Sequence, residues 1–194
     1  MSTEIGLYSG YILAGGKSSR MGRDKGLMEF DGKKMIEYSI KALQPICSSI
    51  RILANDPMYD KLGYPMTSDF ILDKGPLAGI CTGLTLSHTN LNFFAPCDSP
   101  YINQHLFEHL LKHANGYDAI IPIYKGKLYP LTAIYSKNCL SAFMRSLKNN
   151  QLKVMEAIES MNTKKVEMGE ELPFFNENTL ANINTIKELN RYAN

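Results

Sequence analysis

Apolar positions along the chain follow two alternating periods. Residues 8–13, 49–54 and 92–97 are short apolar runs that read as strands, the last of them fully buried. Between them, residues 35–43 place Ile36, Ile40 and Leu43 on one helical face, and residues 77–86 read as a second helix. Leu106, Leu110 and the neighbouring Leu111 give a third helix its core face. Residues 117–124 and 128–135 read as strands, joined at Lys125-Gly126-Lys127 by a turn that suits a hairpin. Helices around 138–147 and 153–160, then a last strand and a helix from Thr185, close the chain. Strands that alternate with helices indicate βαβ units. The expected fold is α/β: a doubly wound, mostly parallel, Rossmann-like sheet with one antiparallel element. Ligands in such sheets bind beyond the carboxyl ends of the strands, so the segments after each strand are where chemistry is sought.

The length of 194 residues suits one domain, and a hydrophobic fraction of 44% supplies a core. A formal net charge of +2 argues against bulk nucleic-acid binding. Residues 1–11 carry Glu4 and no basic stretch, and the next apolar run is broken at Gly15 and Gly16, so neither a signal peptide nor a membrane span is expected. Cys47, Cys81, Cys97 and Cys139 lie far apart with no C-x-x-C pair, which points to reduced core cysteines in the cytosol.

The first strand runs directly into Leu13-Ala14-Gly15-Gly16-Lys17-Ser18-Ser19-Arg20-Met21-Gly22-Arg23-Asp24-Lys25. Gly15 and Gly16 allow a tight turn and close backbone approach to a ligand. The exposed N–H groups of such a turn form an anion-binding concavity. Arg20 can grip phosphate oxygens through its planar fork, and Lys25 adds a point charge. The string lacks both the Walker spacing and the Gly-x-Gly-x-x-Gly fingerprint. Its chemical sense is a polyphosphate cradle.

The whole string resembles the signature Leu-Ala-Gly-Gly-x-Ser-x-Arg-Met-Gly-x-Asp-Lys of the MobA-type molybdenum cofactor guanylyltransferases. The resemblance implies a single nucleotidyltransferase domain over residues 1–194, with Leu13, Ala14, Gly15, Gly16 and Lys25 on the nucleotide and Arg20 and Lys25 in catalysis. Related cytidylyltransferases begin Leu-Ala-Ala-Gly, so Gly15 favours guanine. Three further stretches match. In the first, the family places a nucleotide-contacting aspartate where Asp69 stands, ahead of Gly75-Pro76, whose proline suits a helix start; a surface carboxylate is the plainer reading of Asp69. In the second, Phe93-Phe94-Ala95-Pro96-Cys97-Asp98-Ser99-Pro100 is an apolar strand ending in Asp98. There a carboxylate can contact the nucleotide and hold Mg²⁺, with Mn²⁺ as a substitute; the alternative is a cap on the next helix. In the third, Asn182 and Asn184 flank Ile183 on one face of an extended segment and reach the metal or the cofactor phosphate, unless they only cap the last helix.

The chain also departs from the family. Leu53 stands where many members have asparagine, with Asn55 nearby to take up the nucleotide contact. Tyr129-Pro130-Leu131-Thr132-Ala133 replaces a His/Gln-Pro stretch. Lys153, in Leu152-Lys153-Val154-Met155, replaces an arginine expected on the pterin side with Asn182 and Asn184, and lysine lacks the bidentate fork. The resemblance implies GTP and molybdopterin as substrates and contact with proteins that supply and accept the cofactor. A phosphate monoester is largely ionised near neutral pH, so no protein base is needed. His105, His109 and His113 recur every fourth residue on a helix, and with no motif glutamate between them they read as a solvated face. Two other readings stay open. One is a cytidylyl or sugar-phosphate nucleotidyltransferase of the same fold. The other is a non-catalytic cofactor carrier, which would release no pyrophosphate.

Overall fold

The computed structural model describes residues 8–15, 24–185 and 188. Strand β1 (Ser9–Leu13) leads through the small hairpin of β2 (Glu29–Phe30) and β3 (Lys33–Lys34) into helix α1 (Met35–Leu43) and strand β4 (Ser49–Leu53). Short strand β5 (Met66–Thr67), helix α2 (Gly75–Leu86), strand β6 (Leu91–Pro96) and helix α3 (Gln104–Leu111) follow. Then come β7 (Ala119–Tyr124), β8 (Lys127–Leu128), β9 (Ala133–Ser136), α4 (Cys139–Lys148), α5 (Val154–Ile158) and β10 (Thr163–Glu167). The sheet order is β10-β7-β9-β6-β1-β4-β5, with β8 paired to β7. β1, β4, β5 and β6 run parallel. β9 is antiparallel to both its neighbours, β6 and β7, and β10 is parallel to β7. The α/β expectation, mostly parallel with an antiparallel element, holds.

The strands are apolar because both sheet faces are covered. Ile12, Ile52, Phe93 and Ala95 pack with Ile36, Ile40 and Leu43 of α1 and Leu106, Phe107 and Leu110 of α3. Tyr11, Leu13, Leu53 and Phe94 point the other way, onto Leu77, Ile80 and Leu84 of α2, with Phe143 of α4 on the same side. Adjacent Phe93 and Phe94 thus serve opposite cores, and burying each stabilises by roughly 1.5–3 kcal/mol.

Residues 128–135 are not one strand. β8 ends at Leu128 and β9 begins at Ala133. Pro130, between them, has no N–H for a ladder. Tyr129 N–H carries the pairing with β7 one step further, to the Pro122 carbonyl at 3.0 Å, and the turn then closes with Thr132 N–H on the Tyr129 carbonyl at 3.1 Å. The hairpin turn is as expected: Lys125 and Gly126 both have positive φ, at 47° and 76°, as a two-residue turn matched to strand twist requires. The helix expected from Thr185 lies almost wholly outside the described residues.

Candidate active site

Three strands end together. Leu13 is level with Leu53 on one side and Pro96 on the other. Each ladder extends one step further: Ala14 N–H reaches the Leu53 carbonyl at 2.9 Å, and Cys97 N–H the Leu13 carbonyl at 3.1 Å. β1 leads to β4 through α1, while α2 on the opposite face leads into β6, so the chain reverses its winding here and a crevice opens between the strand ends. A cleft of about 260 Å³ occupies it, lined among others by Leu13, Ala14, Gly15, Lys25, Leu53, Asp69, Gly75, Pro76, Asp98, Asn182 and Asn184. Residues spread from position 13 to position 184 therefore meet in one place.

Asp98 follows β6, whose last carbonyl, on Pro96, accepts the buried Ser39 hydroxyl at 2.6 Å. Asn182 Nδ2 donates to Asp98 Oδ1 at 3.0 Å, and Lys25 Nζ stands 3.5 Å from Asp98 Oδ2. Lys25 Nζ also donates to Asn184 Oδ1 at 2.7 Å. Ile183 is the anchor between the two asparagines: it is fully buried, and its N–H donates to the Asp98 carbonyl at 2.8 Å. Capping is done by other residues. Asn103 caps α3 through Leu106 N–H, and Thr185 and Glu188 cap each other's N–H groups. Asp98, Asn182 and Asn184 instead direct their side chains to one another and to Lys25 in the cleft. Burial holds the Asp98 carboxyl above its usual range, and the Lys25 ammonium only partly offsets this. Such an under-compensated carboxylate suits a cation or a proton.

Asp69 faces the opposite wall. Its Oδ1 is buried without a hydrogen-bond partner, and burial raises its carboxyl pKa. A Cβ on Gly15 would lie 3.3 Å from Asp69 Oδ2, and one on Gly79 would lie 2.9 Å from Leu13 Cδ2 and 3.5 Å from Asp69 Oδ1. Gly15 leaves room beside this carboxylate, and Gly79 lets α2 pack closely on Leu13. Asn55 sits next door, in a depression of about 360 Å³ shared with Asp24, Asp56, Asp69 and Asp73. Lys153 lies apart: it precedes the short α5, is 80% exposed, and pairs with Glu156 at 2.9 Å. It lines neither cavity. Gly16 and Arg20 lie outside the described residues.

Sequence reading passed over Asp24, Gly79 and Leu131, all in the cleft wall. Asp24 was visible as the motif's penultimate residue, and Gly79 as the glycine one turn after Gly75. A second hollow of about 600 Å³ adjoins the cleft and shares Pro96, Leu131, Asn182 and Asn184 with it; Lys127, Tyr129, Thr132, Glu177 and Glu188 are among its other lining residues.

The residues present fit Mg²⁺. Among the described residues no three His, Cys, Asp or Glu side chains are grouped so that they could hold a metal ion by themselves. Asp98 stands in the cleft as a carboxylate, with the Asn184 amide oxygen held nearby on Lys25, the sparse set that Mg²⁺ accepts when phosphate and water supply the remaining oxygens. The four cysteines are buried and free. Burial pushes the thiols of Cys47, Cys81 and Cys139 up to about 12, which suits core packing and not redox work.

The model of the MobA-like NTP transferase domain matches residues 10–164, which hold the glycine turn, Lys25, Asp69 and Asp98. The chain belongs to the MobA-like NTP transferase family. A Flavobacterium johnsoniae protein named "Probable molybdenum cofactor guanylyltransferase" is 37% identical over 181 residues, covering 93% of each chain. The molybdenum cofactor guanylyltransferase of Vibrio parahaemolyticus is 34% identical over 186 residues, 94% of this chain and 93% of that one. Among solved structures, molybdopterin-guanine dinucleotide biosynthesis protein A from Archaeoglobus fulgidus superposes with a TM-score of 0.79 at 26% identity, over 95% of this chain and 96% of that one.

Proposed function

We propose that this protein is a cytoplasmic, Mg²⁺-dependent guanylyltransferase that moves GMP from GTP to the terminal phosphate of molybdopterin and releases pyrophosphate. The observation that carries the reading is the meeting of Lys25 and Asp98 beside the Gly15 turn, at the one sheet edge where βαβ folds bind ligands. The names of relatives over 30% identical supply the substrates. The absence among the described residues of any helix long and apolar enough to cross a membrane is compatible with the compartment.

In this reading the triphosphate lies on the Gly15-Gly16 turn, with Lys25 and Arg20 opposing its charge. Asp98, with Asn182 and Asn184 beside it, would hold Mg²⁺, whose chemistry is to neutralise charge on phosphate oxygens. Asp69 offers a carboxylate on the cleft wall. Guanine presents adjacent ring and amino N–H donors that a carboxylate can accept together. The adjoining hollow takes the pterin. A terminal phosphate oxygen attacks the α-phosphorus in line, the bond to the bridging oxygen breaks, and pyrophosphate carries the electron pair away. The protein positions the reactants and stabilises charge.

The test incubates the protein with GTP, molybdopterin and Mg²⁺ and follows pyrophosphate and the guanine dinucleotide. Equal turnover with CTP would replace guanylyl by cytidylyl transfer. Tight nucleotide binding with no pyrophosphate would make the protein a carrier.

A further inference from the structure

Lys25 opens a 3₁₀ turn of only three residues, Lys25–Leu27. So short a turn cannot fix a lysine by its own backbone bonds. Its rigidity comes from Asp24, whose Oδ1 accepts the Gly26 N–H at 3.1 Å. Asp24 is in turn held from behind: the Tyr59 hydroxyl donates to the same Oδ1. Tyr59 is fully buried and belongs to a second 3₁₀ helix, Pro57–Leu62, on the crossover between β4 and β5. That helix is fixed by Asp56, which accepts Met58 N–H at 2.8 Å.

The packing around this contact leaves no slack. A Cβ on Gly26 would lie 2.5 Å from the Tyr59 oxygen and 2.9 Å from Cys97 Cβ. Glycine at 26 is what lets the phenol pass to Asp24. A phenylalanine would fill the core at 59 equally well, so the hydroxyl is not there for packing. A buried phenol needs a hydrogen-bond partner. Here the partner is the residue that caps the turn of the cleft's lysine, beyond which Lys25 Nζ extends to Asn184 and Asp98.

We infer that Tyr59 and Asp24 act as a positioning pair that sets the direction of the Lys25 ammonium in the cleft. Its activity readout rests on the guanylyl-transfer reading. The labelling readout below does not.

The test uses Tyr59→Phe, Asp24→Asn, Asp24→Ala and Lys25→Ala. Amine labelling followed by peptide mass spectrometry compares Lys25 with exposed Lys153 as internal reference. Tyr59→Phe and Asp24→Ala should raise relative labelling of Lys25 several-fold. Asp24→Asn, which keeps both accepted bonds, should leave it close to wild type. Pyrophosphate release should fall about tenfold in Tyr59→Phe, as a misdirected reacting group implies, and Lys25→Ala/Tyr59→Phe should be no slower than Lys25→Ala alone. A merely structural role would lower stability and multiply the two losses. Unchanged labelling in both Tyr59→Phe and Asp24→Ala, or losses that multiply, would overturn the inference. If wild-type protein releases no pyrophosphate from GTP, the transferase reading fails and labelling alone decides the pair. If Tyr59→Phe does not fold, the contrast between Asp24→Asn and Asp24→Ala decides it.

Discussion

Replacing Asp98 by Asn separates a metal-binding role from a structural one. The substitution keeps the side chain's size and one oxygen, which can still accept Asn182 Nδ2, now at 3.0 Å. That bond, worth about 1 kcal/mol, survives. What is lost is the 3.5 Å pair with Lys25, whose side chain is 23% exposed and Asp98's 14%. A partly solvated pair of that length contributes at most about 1 kcal/mol. Opposing this is the cost of the buried charge. Burial raises the folded-state carboxyl pKa, so the group stabilises the fold only at pH below its unfolded pKa and loses that contribution as pH rises through the folded one. At neutral pH, removing the charge therefore helps folding. The two terms oppose each other, and the net change should stay within about 1 kcal/mol, or roughly 2–4 °C in Tm for a chain of this size. Turnover should behave differently. Loss of the one carboxylate proposed to hold Mg²⁺ should cut pyrophosphate release at least about a hundredfold, near 2.7 kcal/mol of transition-state stabilisation. Raising Mg²⁺ or adding Mn²⁺ should restore part of it. The assay is a Mg²⁺ titration of pyrophosphate release beside a nucleotide-free melt. Wild-type turnover in a mutant that melts normally would refute the assignment and move the metal elsewhere.

Three further outcomes follow from the same geometry. Asp69→Asn should melt a few degrees above wild type without nucleotide, because burial raises the Asp69 pKa and its charge opposes folding above that range; the same mutant should lose its thermal shift with GTP, and a retained shift would remove Asp69 from the nucleotide site. Gly15→Ala should shrink the GTP thermal shift more than any CTP shift, since its Cβ would press within 3.3 Å of Asp69 Oδ2; equal losses would show that Gly15 does not act through that carboxylate. Burial first, then His113 and Lys112, lower the His109 pKa, so its contribution to stability is present above the unfolded value near 6.5 and is lost as pH falls through the folded one. A urea midpoint that falls below pH 6.5 in wild type but stays flatter in His109→Gln checks this, and identical profiles would refute it.

How much of this was legible in the sequence depends on the range of the interaction. The parallel half could be read because its strands are short and mostly apolar, interrupted in β4 only by Arg51, and the glycine turn follows directly from the first. Asn182 and Asn184 could be paired because extended chain has a period of two, and both do reach the cleft, one to Asp98 and one to Lys25. Periodicity alone passed over the break that Pro130 itself signals, since the residues on either side of it are apolar and β-prone. It also could not place Lys153, whose match to a family arginine is local while its position is set by how α5 docks. The Tyr59–Asp24 bond spans 35 residues, and in sequence Tyr59 is one more core aromatic. Asp69 is the deepest case. An aspartate beside Phe70 and Ile71 reads as a surface carboxylate, yet the fold buries one of its oxygens without a partner. An unsatisfied buried acceptor costs about 1–3 kcal/mol and would be poor design for stability alone. Its neighbours make the cost intelligible. Gly15 withholds the Cβ that would stand 3.3 Å from the other oxygen, Oδ2, so the carboxylate keeps an approach from the cleft that it lines.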